Sequence, residues 1–226
     1  MPKTVLASAA AAAWLALASP AHAQSPGVDF TATNPIYMWN PSAFSLGYEF
    51  AATANVSVTG LAAWDSNGSG FNNYLPGTST PVSYGTQQVG LWDANGNLLA
   101  SAYVTPTSAL LGSAPWRWAS IAPITLTAGQ DYYVASQGGA EYAWETAGLT
   151  VDPSITFIEA AYASTGSASD NPLEFPGALA GDLPAAAGGG YFGGNIVLGS
   201  AIPEPATLSI LGIGLLGFGL VRRRRP

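Results

Sequence analysis

Between residues 24 and 200 the groups able to do chemistry are almost all oxygen acids and aromatic rings. The single histidine of the chain is His22, its lysine is Lys3, and it has no cysteine. A body without imidazole, thiol or amine cannot run Ser-His-Asp or Cys-His nucleophilic catalysis, form a Schiff base, or hold zinc or copper on nitrogen or sulfur. It cannot form a disulfide either. Carboxylate chemistry and oxygen-ligated metal stay open. Asp65-Ser66-Asn67-Gly68-Ser69-Gly70 follows the opening of a calcium loop. Asp65, Asn67 and Ser69 supply oxygens at alternate positions, and glycine at the sixth allows the turn. Pro76 stands where the bidentate glutamate of such a loop belongs. Asp93-x-Asn95-x-Asn97 is a poorer match, with Leu98 in the place of the glycine. Both stretches also read as plain turns, because Asp, Asn and Gly make turns for local reasons. Calcium is the one metal this pattern suggests; no other cofactor is expected.

Two further constellations are open. Glycoside hydrolysis needs a pair of carboxyl groups, and the body offers Glu49, Glu141, Glu145, Glu159 and Glu174. Spacing alone does not set two of them across a cleft. The indoles are Trp39, Trp64, Trp92, Trp116, Trp118 and Trp144. An amphipathic ring suits a half-wet surface on which a sugar can stack, yet Trp is highly buried on average. Most are assigned to the core. Trp39 and Trp144 fall outside the firmer strands and are the candidates for sugar stacking.

The elements that must position these groups are short. No long helical periodicity occurs, and β-prone runs recur between turn residues. Strands are expected near Phe44–Phe50, Asn55–Trp64, Gln87–Asp93, Leu98–Thr105, Arg117–Leu126, Asp131–Ser136, Ile155–Ala161 and Asn195–Leu198. Asp93-Ala94-Asn95-Gly96-Asn97 and Thr127-Ala128-Gly129-Gln130 are turns between them. Residues 164–184 and 185–194, rich in Pro and Gly, are loop material. The fold class is all-β, an antiparallel sandwich of jelly-roll or Ig-like kind. Tyr132 or Tyr133 is expected to bond the backbone just upstream, as in the corner of Ig-like sandwiches.

The two ends carry addresses. Lys3, the apolar run Val5 to Ala18, Pro20 and Ala21-His22-Ala23 make a secretory signal, with cleavage after Ala23 set by the small residues Ala21 and Ala23. Pro203-Glu204-Pro205 is followed by an uncharged run, 206–221, and then by Arg222, Arg223, Arg224 and Arg225. As a helix that run spans ~24 Å, slightly short of a ~30 Å hydrocarbon core. Four arginines do not cross a membrane cheaply and stay cytoplasmic. The organisation is therefore signal peptide 1–23, extracytoplasmic domain 24–200 and sorting segment 201–226. Once the ends are removed, Arg117 is the only basic residue left, while of thirteen acidic residues all but Glu204 lie in the body. Such a surface repels nucleic acid and anionic lipid. Contact with the membrane is expected only through the transient C-terminal helix.

The C-terminal segment resembles the PEP-CTERM sorting signal of bacterial exported proteins, with motif, apolar segment and arginine cluster in order. The resemblance implies recognition by an exosortase, removal of the tail near Pro203, and a Gram-negative host that makes extracellular polysaccharide. The Sec machinery would serve the N-terminal signal. The body resembles a β-domain found in PEP-CTERM-sorted proteins. The matching stretches are Val58 to Asp65, Val89 to Asp93, Gly96 to Ser101, Tyr132 to Val134 and Tyr191 to Asn195. That resemblance supplies a fold and a context but no activity. The expectation is an exported, non-enzymatic surface or polysaccharide-matrix protein. The alternatives are a carbohydrate-binding module using surface Trp and Tyr, and a carboxylate-only glycoside hydrolase.

Overall fold

Tyr132 shows how the sequence is read by the fold. Its hydroxyl accepts a hydrogen bond from the Thr127 backbone N–H at 2.9 Å, closing the turn that precedes its own strand. Of the two candidate tyrosines, Tyr132 makes this corner. The computed structural model describes residues 24–33, 36–38, 44–74, 81–83, 85–137, 141–164, 173–181 and 189–199. Every regular element among them is a β-strand. The segments expected as signal and C-terminal helices lie outside the described residues, and among the described residues no helix is long and apolar enough to cross a membrane.

Two antiparallel sheets carry the body. A five-stranded sheet runs in the order Ser25–Pro26, Gly194–Leu198, Val56–Trp64, Trp116–Leu126, Leu110–Leu111. A six-stranded sheet runs Leu98–Val104, Gln87–Asp93, Asp131–Gln137, Phe44–Ala52, Ile155–Ser164, Ala178–Leu179. All eight strands expected from the sequence are present, with ends moved by a few residues at most. One hydrophobic cluster joins the sheets. Tyr48, Phe50, Leu91 and Val134 come from the six-stranded sheet, and Val58, Trp64, Trp116 and Ile196 from the other. The two sheets thus share a core in a sandwich-like way.

Some strands lie where loops were expected. Gly189–Phe192 and Ala178–Leu179 fall inside the Gly- and Pro-rich stretches. Glu141–Ala147 pairs with Gly189–Phe192, with Ala32–Thr33 and with Ile36–Met38. These short pieces lack alternation long enough to read, and they exist because longer strands offer them an edge.

The register also fixes where the ends of the body lie. Ser25 pairs with Leu198 and Pro26 with Val197. The Gly199 N–H donates to the Ser57 carbonyl at 2.8 Å. The chain therefore enters and leaves the two-sheet body side by side, at the end that also carries Val56 and Leu126.

Candidate functional site

The strand Val56–Trp64 delivers Asp65 to the far end of the two sheets, where its carboxylate is fully buried. Asp65 Oδ2 accepts from the Gly70 N–H at 2.8 Å and Oδ1 from the Phe71 N–H at 3.2 Å. Arg117 Nε donates to Oδ2 at 2.5 Å. The register explains the meeting, since Trp116 lies opposite Trp64 and Arg117 opposite Ala63. The rest of the guanidinium binds backbone carbonyls, Nη1 to Ser108 at 2.7 Å and Nη2 to Gly68 at 2.5 Å. A planar fork of donors is the side chain suited to tying several acceptors at once.

The other two predicted calcium ligands stand in the same loop but face their neighbours. Asn67 Oδ1 accepts from the Ser69 N–H at 2.9 Å, and Ser69 Oγ donates to the Asn72 carbonyl at 2.6 Å. The fold therefore keeps Asp65, Asn67 and Ser69 in one loop but turns Asp65 inward to Arg117 and the other two to the loop backbone. A metal ion there would compete with a guanidinium fixed by two carbonyls. Phe71, buried and held at φ 58, sits where the carboxylate pins the loop. Among the described residues no group of three or more His, Cys, Asp or Glu is placed to hold a metal.

Other aspartates are also spent on backbone. Asp29 accepts from Ser113 N–H at 2.6 Å and Ala114 N–H at 2.8 Å. Asp152 accepts from Ser154 N–H at 3.0 Å and from the Ser25 hydroxyl at 3.1 Å. Asp93 binds the Asn97 side-chain amide at 2.8 Å and the Asn95 and Asn97 N–H groups at 2.9 Å each. The Asn97 amide, then the Asn97 N–H, holds the Asp93 carboxyl below its ordinary range.

Of the five glutamates, the fold sets two opposite each other. Glu49 and Glu159 are cross-strand partners on the outer face of the six-stranded sheet, and Tyr133 lies opposite Glu49 on its other side. Burial pushes the Tyr133 hydroxyl up, and a hydrogen bond to Glu49 with the charges of Glu49 and Asp131 pushes it further. Glu159 accepts from the Gly181 N–H. Segment 173–181 lies over this face. The Glu174 N–H donates to Ser45 Oγ at 2.8 Å, and the Phe175 ring packs 5.0 Å from Tyr133 and 6.3 Å from Trp92. Glu49 is left 9% exposed. The side chains of Glu141 and Glu145 lie outside what is described, and Glu174 is exposed.

The aromatic candidates divide. Trp39 lies outside the described residues. Trp144 lies in the strand Glu141–Ala147, which corrects its expected position outside the strands. The alternation of Tyr142, Trp144 and Thr146 with Glu141, Ala143 and Glu145 is the signal that was available. Trp144 is half-buried, 5.0 Å from the Tyr191 ring. Tyr191 also meets Tyr142 at 6.0 Å and Tyr162 at 5.8 Å, and Tyr162 meets Phe44 at 6.3 Å. Tyr191 precedes the strand that runs from Gly194 to Leu198, so this cluster lies at the end away from Ser25 and Leu198.

One polar group was expected only as the start of a strand, with no sign of its bonding role. Asn195 is fully buried. Its Oδ1 accepts from Tyr48 Oη at 2.6 Å and its Nδ2 donates to the Val28 carbonyl at 2.7 Å. Burial pushes the Tyr48 hydroxyl above its ordinary range.

Comparison with known families gives two matches. The profile described as Domain of unknown function (DUF4082) covers residues 31–178. The profile described as PEP-CTERM protein-sorting motif covers residues 201–225. No curated protein matches the chain.

Proposed function

The chain belongs to the DUF4082 family, and from that premise we propose that it serves outside the cell as a non-enzymatic surface or polysaccharide-matrix protein. Its PEP-CTERM motif makes it an exported exosortase substrate that reaches the cell surface through a membrane-anchored intermediate. What supports a non-enzymatic role is the use of its charged groups. Asp29, Asp65, Asp93 and Asp152 each hold backbone N–H groups, and Arg117 is buried against Asp65. We further assign the two sheets to a β-sandwich of Ig-like kind, which the Tyr132 corner favours. The Sec machinery, a Gram-negative host and the helical form of 206–221 belong to this proposal too.

A second reading, carbohydrate binding, is favoured by the half-buried Trp144–Tyr191 pair. Electrophoresis of the processed protein in gels cast with the polysaccharide of the host tests it. Retardation of the wild type that is lost in Trp144→Ala supports the aromatic cluster as the sugar contact; equal mobility with and without polysaccharide removes it. The same polysaccharide incubated with pure protein should yield no new reducing ends. Their appearance, abolished in Glu159→Gln, would favour hydrolysis by the Glu49–Glu159 pair instead.

A further inference from the structure

The stretch from Ala94 to Trp116 contains no charged residue, in a body whose charges are otherwise nearly all negative. It supplies both strands that end the two sheets on one flank. Leu98–Val104 closes the six-stranded sheet and Leu110–Leu111 the five-stranded one. Among the described residues no strand pairs along the outer edge of Leu98–Val104. Edge strands of this length are usually blunted by charge, proline or a bulge that twists the edge away. Here the strand reads Leu-Leu-Ala-Ser-Ala-Tyr-Val, without charge or proline, and its one register irregularity lies at its start, between Leu98 and Ala100. Leu98 is 53% exposed, Leu99 39%, Tyr103 66%, and Leu110 on the same flank 51%.

We propose that this edge is a self-association surface, on which the strand Leu98–Val104 of a second copy adds antiparallel to the first. The charge distribution selects the occupant. Two copies of so acidic a body repel each other over most approaches, and the strand Leu98–Val104 carries no charge of its own to set against another. A basic partner finds nothing on the strand to pair with. The strand is also close to self-complementary. A two-fold axis at Ser101 sets Leu99 of one copy beside Tyr103 of the other, twice, and Ala100 beside Ala102, as an isologous interface requires. Cross-strand aromatic–aliphatic pairs of this kind stabilise a sheet. Because the pairing reverses one body, the two Gly199 ends point in opposite directions. The contact therefore links bodies across a gap rather than neighbours on one membrane.

Sedimentation velocity of the processed protein over a range of concentrations tests this. The wild type should pass from monomer to dimer as concentration rises. Two double variants, Leu99→Lys with Tyr103→Lys and Leu99→Glu with Tyr103→Glu, should each stay monomeric with unchanged melting temperature, because both positions are exposed. Mixing them should restore a dimer, since the ammonium groups of one copy then face the carboxylates of the other at both cross-strand pairs. A wild type that is monomeric throughout, variants that dimerise like the wild type, or a mixture that stays monomeric would each overturn the assignment.

Discussion

Two loops of this protein begin with nearly the same words and do different work. Trp64-Asp65-Ser66-Asn67-Gly68 and Trp92-Asp93-Ala94-Asn95-Gly96 each close a strand with an aspartate. In both the glycine takes a positive φ, 68 at Gly68 and 81 at Gly96. In both its N–H returns to the aspartate carbonyl, at 2.9 Å and 3.0 Å. The backbone turn is the same; the carboxylates part company. Asp65 is buried against Arg117 and pins Gly70 and Phe71. Asp93 folds over its own exposed turn onto Asn95 and Asn97. Local sequence sets the turn, and the neighbouring strand decides whether the carboxylate becomes a keystone or a surface cap.

The largest effect should come from Asp65→Ala. It leaves a buried guanidinium without its partner, a change that costs ~3–5 kcal/mol, read as a fall in the urea midpoint. A loss no greater than that of an ordinary surface substitution would erase the difference between the loops. Adding Arg117→Met should recover part of the loss, because the uncompensated charge goes with it. Purely additive losses would mean that the pair is not coupled.

Glycine substitutions come next. A Cβ at Gly70, where φ is 86, meets the Pro106 carbonyl oxygen at 2.9 Å, whereas one at Gly96 meets the Phe175 ring at 3.1 Å. Both pay the left-handed penalty of ~1–2 kcal/mol. Gly70→Ala should lose more, since a backbone oxygen yields less readily than a ring near the surface. The reverse order in thermal unfolding would show the second loop to be the stiffer.

The smallest effects belong to the exposed turn. Asp93 has its carboxyl held low when folded, so its contribution is present above the ordinary carboxylate range and fades as pH falls through the lowered value. Asp93→Asn should therefore lower neutral stability slightly, leave stability at the acid limit almost unchanged, and so flatten the acid side of the profile. Calcium should leave the melting temperature flat for the wild type. A rise with calcium that vanishes in Asp65→Ala would return the first loop to the metal-binding reading, and one that vanishes in Asp93→Asn would do so for the second.

These loops also mark what a reader of the sequence can reach. Val56, Val58 and their neighbours announce a strand by alternation, and Gly96 and Gly129 announce turns through backbone freedom that other residues lack. Such signals are local. The Asp65–Arg117 bond joins residues far apart in the chain and depends on the strands Val56–Trp64 and Trp116–Leu126 being neighbours. The Glu49–Glu159–Tyr133 row likewise exists only through the pairing of three strands. Asn195 reads as the first residue of a strand, and its role as a buried polar anchor is visible only when Tyr48 and Val28 are brought to it. Trp144 was legible as a candidate because of its type, whereas its partner Tyr191, and Tyr162 that packs on Tyr191, come from strands too short or too distant to read together.

The intact mass of the protein recovered from outside the host tests the central claim most directly. Export and sorting predict a species that begins at Gln24 and lacks Arg222 to Arg225, cut near Pro203. A full-length species found in the cytosol, arginines still attached, would contradict it.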